Sequence, residues 1–171
     1  MSDLPAFDVT VIPSRLQEGL PSGVRLRPLQ LGDYERGHLR LLATLTQAPD
    51  IGREAWQARF KELVTTCGTY YPIVLVDDGA DELVATGTLV HERKFIRAAG
   101  TVGHIEDIAV SPKMQGKGLG KKIIDALVAI SQELGAYKAS ATILDCNPKN
   151  EAFYIKCGFE TKGCEMARYN V

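Results

Sequence analysis

No apolar run in this sequence approaches the roughly 18–20 residues that a membrane-spanning helix needs. The first residues, MSDLPAFDVTVIP, lack the basic start and apolar core of a secretory signal, so the expected location is the cytoplasm. Four cysteines are present, Cys67, Cys146, Cys157 and Cys164, with neither a CxxC pair nor a Cys/His ligand spacing. Reduced thiols are the simplest reading of such scattered cysteines, a structural metal or disulfide the alternative, and no metal is expected. An excess of one charge is missing too. Lys and Arg number 20 against 21 Asp and Glu, a net charge of −1. That balance speaks against broad nucleic-acid binding, which needs a basic face, and leaves room for a small anion site. Repeats, low-complexity tracts and internal linkers are absent as well.

What is present is an ordinary globular composition, 45% apolar and 24% charged over 171 residues, long enough for one well-packed domain. The Pro-dotted residues 1–23 read as an extended N-terminal arm, and residues 24–171 as the domain. VRLRPL (24–29) alternates apolar and basic residues and predicts a strand. GDYERGHLRLLATLTQ follows as a helix with Asp33 as a capping residue, and Trp56, Phe60, Leu63 and Val64 recur at helical spacing. YPIVLV (71–76) predicts a buried strand, and ELVATGTLVHE the other half of its hairpin. RKFIRAAG reads as a basic loop and TVGHIEDIAV as the next strand. Leu119, Ile123, Ile124, Leu127, Val128, Ile130 and Leu134 form the stripe of an amphipathic helix over Lys117–Leu134. A strand YKASATILDC, a short helix in NPKNEAFYIKCGF and a last strand GCEMARYNV complete the chain. In the short helix Asn150 is the expected N-cap and Gly158 the left-handed C-cap. The fold class is mixed α/β.

The stretch MQGKGLGKK (114–122) sits between a predicted strand and the amphipathic helix. It fails the G-x-x-x-x-G-K-[ST] phosphate loop, because Gln115 stands where glycine is needed and Lys122 where Ser or Thr is needed. It also fails G-x-G-x-x-G, which would require glycine at Lys121 or Ile123. Two readings remain. One is a solvated glycine turn; the other is an anion cradle of backbone N–H groups at the positive end of a helix, with Lys117, Lys121 and Lys122 nearby.

Gln115-Gly116-Lys117-Gly118-Leu119-Gly120 after a strand ending in IAV resembles the acetyl-CoA motif of the GNAT superfamily of N-acetyltransferases. The wider set, GHIEDIAVSPKMQGKGLGKKIIDAL (103–127) and ILDCNPKNEAFYIKCGF (143–159) with HERKFI, LLATLTQ and a final EM, is similar to the eukaryotic glucosamine 6-phosphate N-acetyltransferases. The likeness runs from about residue 24 to 169. It implies a central, mostly antiparallel, splayed sheet flanked by helices, with acetyl-CoA as cosubstrate and glucosamine 6-phosphate as acceptor. It also implies a homodimer, in which the strand from Glu165 to Tyr169 completes the partner's site. Between Lys138 and Leu144 the strand looks a few residues longer than the family pattern.

Acetyl transfer from a thioester to an amine requires a held cofactor, a polarised carbonyl, a deprotonated amine and a protonated leaving thiolate. The resemblance assigns the cofactor to Gln115, Gly116, Lys117, Gly118, Leu119, Gly120 and Lys121, with Asn150 and Tyr154, and its extended arm to the strand edge at Ile108, Ala109 and Val110. Tyr154 is either a half-buried neighbour of Phe153 or, as the resemblance implies, the acid for the thiolate. Glu106 and Asp107 are adjacent on one strand and are expected to point to opposite faces. By resemblance Glu106, Asp107, Ile108 and Asp145 contact the sugar, with Glu106 and Asp145 aiding deprotonation. His104 is a base by type, though a lone His in a strand is more often structural. A second anion site is needed for the acceptor's phosphate. Arg93, Lys94 and Arg97 cluster in one loop, either as a solvated basic loop or, by resemblance, with Lys94, Phe95, Ile96 and Arg97 facing the acceptor. Thr46, Glu165 and Arg168 join them on the same basis. A protein or polyamine amine would favour an acidic cleft instead of RKFIR, and an acyl-CoA-binding domain without catalysis would not need Tyr154.

Overall fold

The computed structural model describes residues 4–135, 142–163 and 166–168. Five strands form one sheet in chain order: β1 (Val24–Pro28), β2 (Tyr70–Asp77), β3 (Glu82–Arg93), β4 (Thr101–Val110) and β5 (Thr142–Ile143). The first four pair antiparallel and β5 joins β4 in parallel. The uninterrupted apolar run of β2 fits its interior place between β1 and β3, since a strand covered on both faces needs no polar alternation. Ile73 and Leu75 enter one core, and Val74 and Val76 the other.

The first core is closed by α4 (Leu119–Glu133), whose predicted stripe is buried at Leu119, Ile123, Ile124, Leu127 and Ile130. The second is closed by α1 (His38–Leu42) and α2 (Arg53–Thr65) through Leu41, Trp56 and Phe60. Each of these large apolar side chains contributes about 1.5–3 kcal/mol on burial.

The helix expected from residue 32 begins only at His38, after Gly37 at φ 87. Asp33 is not its cap. It is buried and takes a bidentate pair from Arg27 at 2.7 and 2.8 Å, and it accepts Gln30 N at 2.7 Å. A carboxylate beside a buried guanidinium is worth more there than at a helix end.

His38 links three elements. Trp56 Nε1 donates to His38 Nδ1 at 3.2 Å, His38 Nε2 faces Thr86 Oγ1 at 3.5 Å, and Thr86 donates to the Ile73 carbonyl at 3.1 Å. Because the indole can only donate, Nδ1 must stay unprotonated and the ring neutral. Burial pushes the His38 pKa down from 6.5 to about 4.

The described part of the N-terminal arm is irregular, with 3-10 turns at Val9–Val11 and Ser14–Gln17, and it packs Ala6 and Ile12 into the two cores. Gln17 Nε2 donates to the Leu26 carbonyl at 2.6 Å and its Oε1 accepts Leu26 N at 3.1 Å. The basic loop after β3 contains a tight turn, α3 (Ile96–Ala99), in which Arg97, Ala98 and Ala99 have φ of 55, 56 and 58. Lys94 N bonds the Gly100 carbonyl at 2.9 Å and closes it.

Of the strand expected over 137–146, Thr142–Ile143 is the strand among the described residues, and 136–141 lie outside them. The last strand expected over 163–171 does not form at residues 163 and 166–168, where the chain has no ladder to join. Glu165 and Tyr169 lie outside the described residues.

The neutral His38 sets a pH dependence. Below pH 6.5 the unfolded chain takes up a proton that the native ring refuses until about pH 4. Stability is therefore expected to fall as pH drops through that window, by at most ~3 kcal/mol because the ring keeps some solvent access. Urea titrations at pH 7 and pH 4.5 check this, with His38→Gln flattening the difference.

Candidate active site

β4 carries the site. Residues Ala85 and Thr86 of β3 pair with Val110 and Ala109, but Thr88 pairs with Glu106, so two β4 residues lie opposite Gly87. The extra place falls at Asp107, with φ 56. The bulge overturns the strict alternation expected of Glu106 and Asp107. Its effect shows in packing: Ile105 and Ile108, three residues apart, both meet the α4-side core, while Ala109 enters the other. Asp107 is exposed and Glu106 half-buried.

β5 pairs with β4 at Gly103 and His104 and then, from Leu144, leaves the strand state. Among the described residues no strand covers the β4 edge from Ile105 to Val110 on that side. An open edge of this kind presents backbone donors and acceptors to an extended, amide-rich ligand, which adds as a further strand.

The edge runs into the glycine loop. Gly118, at φ 76, is the N-cap of α4 and no side chain caps it. The first-turn N–H groups therefore point outward with the positive end of the helix dipole. A Cβ at Gly116 or Gly118 would meet nothing within 4 Å, so the glycines face open space and serve the backbone conformation. Leu119 is an anchor, 1% exposed. The lysines are less available than their number suggests. Lys121 Nζ lies 2.8 Å from Asp125, Lys122 Nζ donates to the Glu18 carbonyl at 3.0 Å, and Lys117 Nζ meets Met114 Sδ at 3.2 Å. Gln115 is exposed beside them.

α5 (Glu151–Lys156) closes the other side of the opening. A Cβ on Gly120 would lie 3.3 Å from Phe153 Cζ and 3.6 Å from Val110 Cγ2, which brings the loop, β4 and α5 together. Asn150 is the N-cap of α5, as expected, but it is exposed and makes no side-chain capping bond. The 3-10 turn before it, Pro148–Asn150, is capped by Asn147, which accepts Lys149 N at 3.0 Å, with Pro148 in the position after the cap that suits proline. Gly158, at φ 90, ends the helix as expected: Phe159 N bonds the Tyr154 carbonyl at 3.1 Å and Gly158 N the Ile155 carbonyl at 3.0 Å. The Phe159 ring packs on Tyr154 at 6.2 Å. Tyr154 is thus held at a terminated, half-buried helix end. Burial, then the thiols of Cys146 and Cys157 and the Asp145 carboxylate, push its pKa up. It remains a proton donor across the neutral range. Asp145 and Cys146 are exposed.

The acceptor-side residues are spread out. Ten-residue β4 spans roughly 30 Å, with the glycine loop at one end and the Lys94–Arg97 loop at the other. Glu106 and Asp107 lie between. Phe95 and Arg97 are exposed, as is Ile96, while Lys94 Nζ pairs with Glu92 at 2.6 Å. Thr46 lines an open depression of about 580 Å³ with Ala43, Gln47, Ala48 and Pro49. Arg168 is exposed. The Glu92–His104 pair at 2.8 Å was not legible from the sequence, because only the β3–β4 register makes these residues neighbours. Among the described residues no three His, Cys, Asp or Glu side chains gather to hold a metal, and no helix is long and apolar enough to cross a membrane.

An open strand edge that runs into an uncapped helix N-terminus offers backbone donors and acceptors to an extended ligand and N–H groups to an anion at its end. The chain belongs to the acetyltransferase (GNAT) family, whose model matches residues 38–159. It is 41% identical over 145 residues to glucosamine 6-phosphate N-acetyltransferase 1 of Oryza sativa subsp. japonica, covering 85% of this chain and 86% of the relative. It is 40% identical over 147 residues to glucosamine 6-phosphate N-acetyltransferase of Candida albicans, covering 86% and 96%. The crystal structure of the Arabidopsis thaliana enzyme of that name superposes with a TM-score of 0.81 at 34% identity, covering 85% and 97%.

Gly118→Ala tests the cradle. An alanine at φ 76 costs about 1–2 kcal/mol locally and disturbs the first turn of α4. CoA affinity measured by calorimetry is expected to fall about tenfold or more, with the far-UV spectrum unchanged; undiminished affinity rejects the cradle.

Proposed function

We propose that this chain is a glucosamine 6-phosphate N-acetyltransferase, moving acetyl from acetyl-CoA to the 2-amino group of D-glucosamine 6-phosphate. The observation that carries the reading is the open β4 edge leading into the uncapped α4 N-terminus, in a chain so similar to enzymes of that name. Acetyl-CoA supplies an activated carbonyl. The chain supplies everything else.

The first-turn N–H groups of α4 and the backbone of Gly116–Gly120 hold the pyrophosphate. The β4 edge at Ile108, Ala109 and Val110 pairs with the extended arm, and a backbone N–H of Ile108 or Ala109 polarises the thioester carbonyl. Glu106, Asp107 and Asp145 orient the sugar. The amine lone pair forms the C–N bond, the C–S bond breaks, and the Tyr154 phenol donates its proton to sulfur. The proton shed by the new amide nitrogen restores the phenol. Lys94 and Arg97 receive the sugar's phosphate, with Thr46 donating from the α1–α2 link.

On this reading the enzyme works in the cytoplasm on the route to UDP-N-acetylglucosamine. It acts as a homodimer in which the C-terminal segment around Glu165 and Arg168 completes the partner's acceptor site. Exposed Phe95, Ile96 and Met166 support that pairing, since large apolar side chains standing in water favour a covered state.

Thiol release with glucosamine 6-phosphate, glucosamine and a lysine peptide tests the acceptor. The phosphorylated sugar is expected to win by at least tenfold in kcat/KM, and equal turnover of the two sugars rejects the phosphate site. Tyr154→Phe is expected to lower kcat by roughly 10²–10⁴ with CoA affinity kept; an unchanged rate returns Tyr154 to the core.

A further inference from the structure

Three ionisable side chains form a connected group, of which the mechanism above uses only Lys94. Glu92 Oε2 accepts from Lys94 Nζ at 2.6 Å and from His104 Nε2 at 2.8 Å, so one oxygen serves two donors. Lys94 first, then His104, hold the Glu92 carboxyl below its ordinary range. A carboxylate only accepts, so Nε2 carries a ring hydrogen, and in the neutral tautomer that this contact favours the lone pair lies on Nδ1.

Position gives this group meaning. Ile105 faces the α4-side core, so His104 and Glu106 project from the opposite face, two residues apart and about 7 Å along the strand. The neighbours across the ladders are Val90 on β3 and Ile143 on β5, neither of which titrates. Among the described residues, the charged groups facing His104 are Glu92 and Lys94 from β3 and its loop, and Glu106 from its own strand. Lys94 is also one of the two cations assigned to the acceptor's phosphate.

We propose that Lys94, Glu92 and His104 form a relay: the acceptor's phosphate draws Lys94 away, Glu92 turns wholly to His104, and His104 takes the proton from the acceptor's ammonium. The proposal rests on the phosphorylated amino sugar being the acceptor. The proton passes from nitrogen to Nδ1, the freed lone pair attacks the thioester carbon, and the imidazolium later releases its proton to solvent. Undivided contact with a carboxylate makes the imidazole a stronger base, which is the physical content of the switch. The phosphate then serves the rate as well as binding, although it lies away from the bond being made.

The test is the pH profile of kcat for the wild type, Glu92→Gln, His104→Gln and Lys94→Met, each with glucosamine 6-phosphate and with glucosamine. Glu92→Gln and His104→Gln are expected to lose roughly 10–100-fold in kcat with the phosphorylated sugar. Glu92→Gln is also expected to move the ascending limb of the profile, and both variants to keep the KM for acetyl-CoA. Lys94→Met is expected to raise the KM for glucosamine 6-phosphate and to raise kcat with free glucosamine, because Glu92 is then already released. Wild-type kcat and pH profile in Glu92→Gln overturn the relay alone. A wild type that acetylates neither sugar overturns the acceptor assignment and the relay with it.

Discussion

Ile108 lies against Gly87 where no side chain fits: a Cβ there would sit 2.5 Å from Ile108 Cδ1, 2.7 Å from Ile123 Cγ2 and 3.0 Å from Leu127 Cδ1. That contact lets β4 bulge at Asp107 and still keep Ile108 packed against α4. The bulge resets which β4 residues face which core, and the departure of β5 after His104 leaves the reset edge bare. Helix α4 is pinned through Ile123 and Leu127 to the same spot, so its N-terminus is aimed where the edge ends. The edge, the helix end and Tyr154 are thus positioned by apolar packing.

Electrostatics at the two proposed anion sites follow different rules. At the glycine loop the lysines are engaged by Asp125 and the Glu18 carbonyl, so the attraction for a pyrophosphate falls on the N–H groups and helix dipole. Those donors are fixed by the fold and need no side chain to be ordered on binding. At the far end of β4 the cation is a mobile ammonium already paired with Glu92. An incoming phosphate there must compete with a carboxylate, which raises the demand on its charge.

Periodic signals carried well into three dimensions. The stripe from Leu119 to Ile130 is the buried face of α4, and YPIVLV is a strand buried on both faces, because both report burial directly. Gly158 ended its helix as read, since a left-handed C-cap is a local event. The errors have tertiary causes. Asp33 looked like a cap until Arg27, from another element, claimed it. The bulge at Asp107 and the Glu92–His104 contact depend on cross-strand register, which no single segment encodes. The residues of the glycine loop were identifiable by type, but the partners of their lysines were not, because Glu18 lies 104 positions away.

β1 is the outer strand of the sheet, with one side of its ladder facing away from β2. Gln17 meets Leu26 there with both a donor and an acceptor, in the manner of a neighbouring peptide group. A single glutamine amide thereby occupies the register that a foreign strand would need first. An exposed ladder invites edge-to-edge association, and this arm residue takes up the groups through which it would begin.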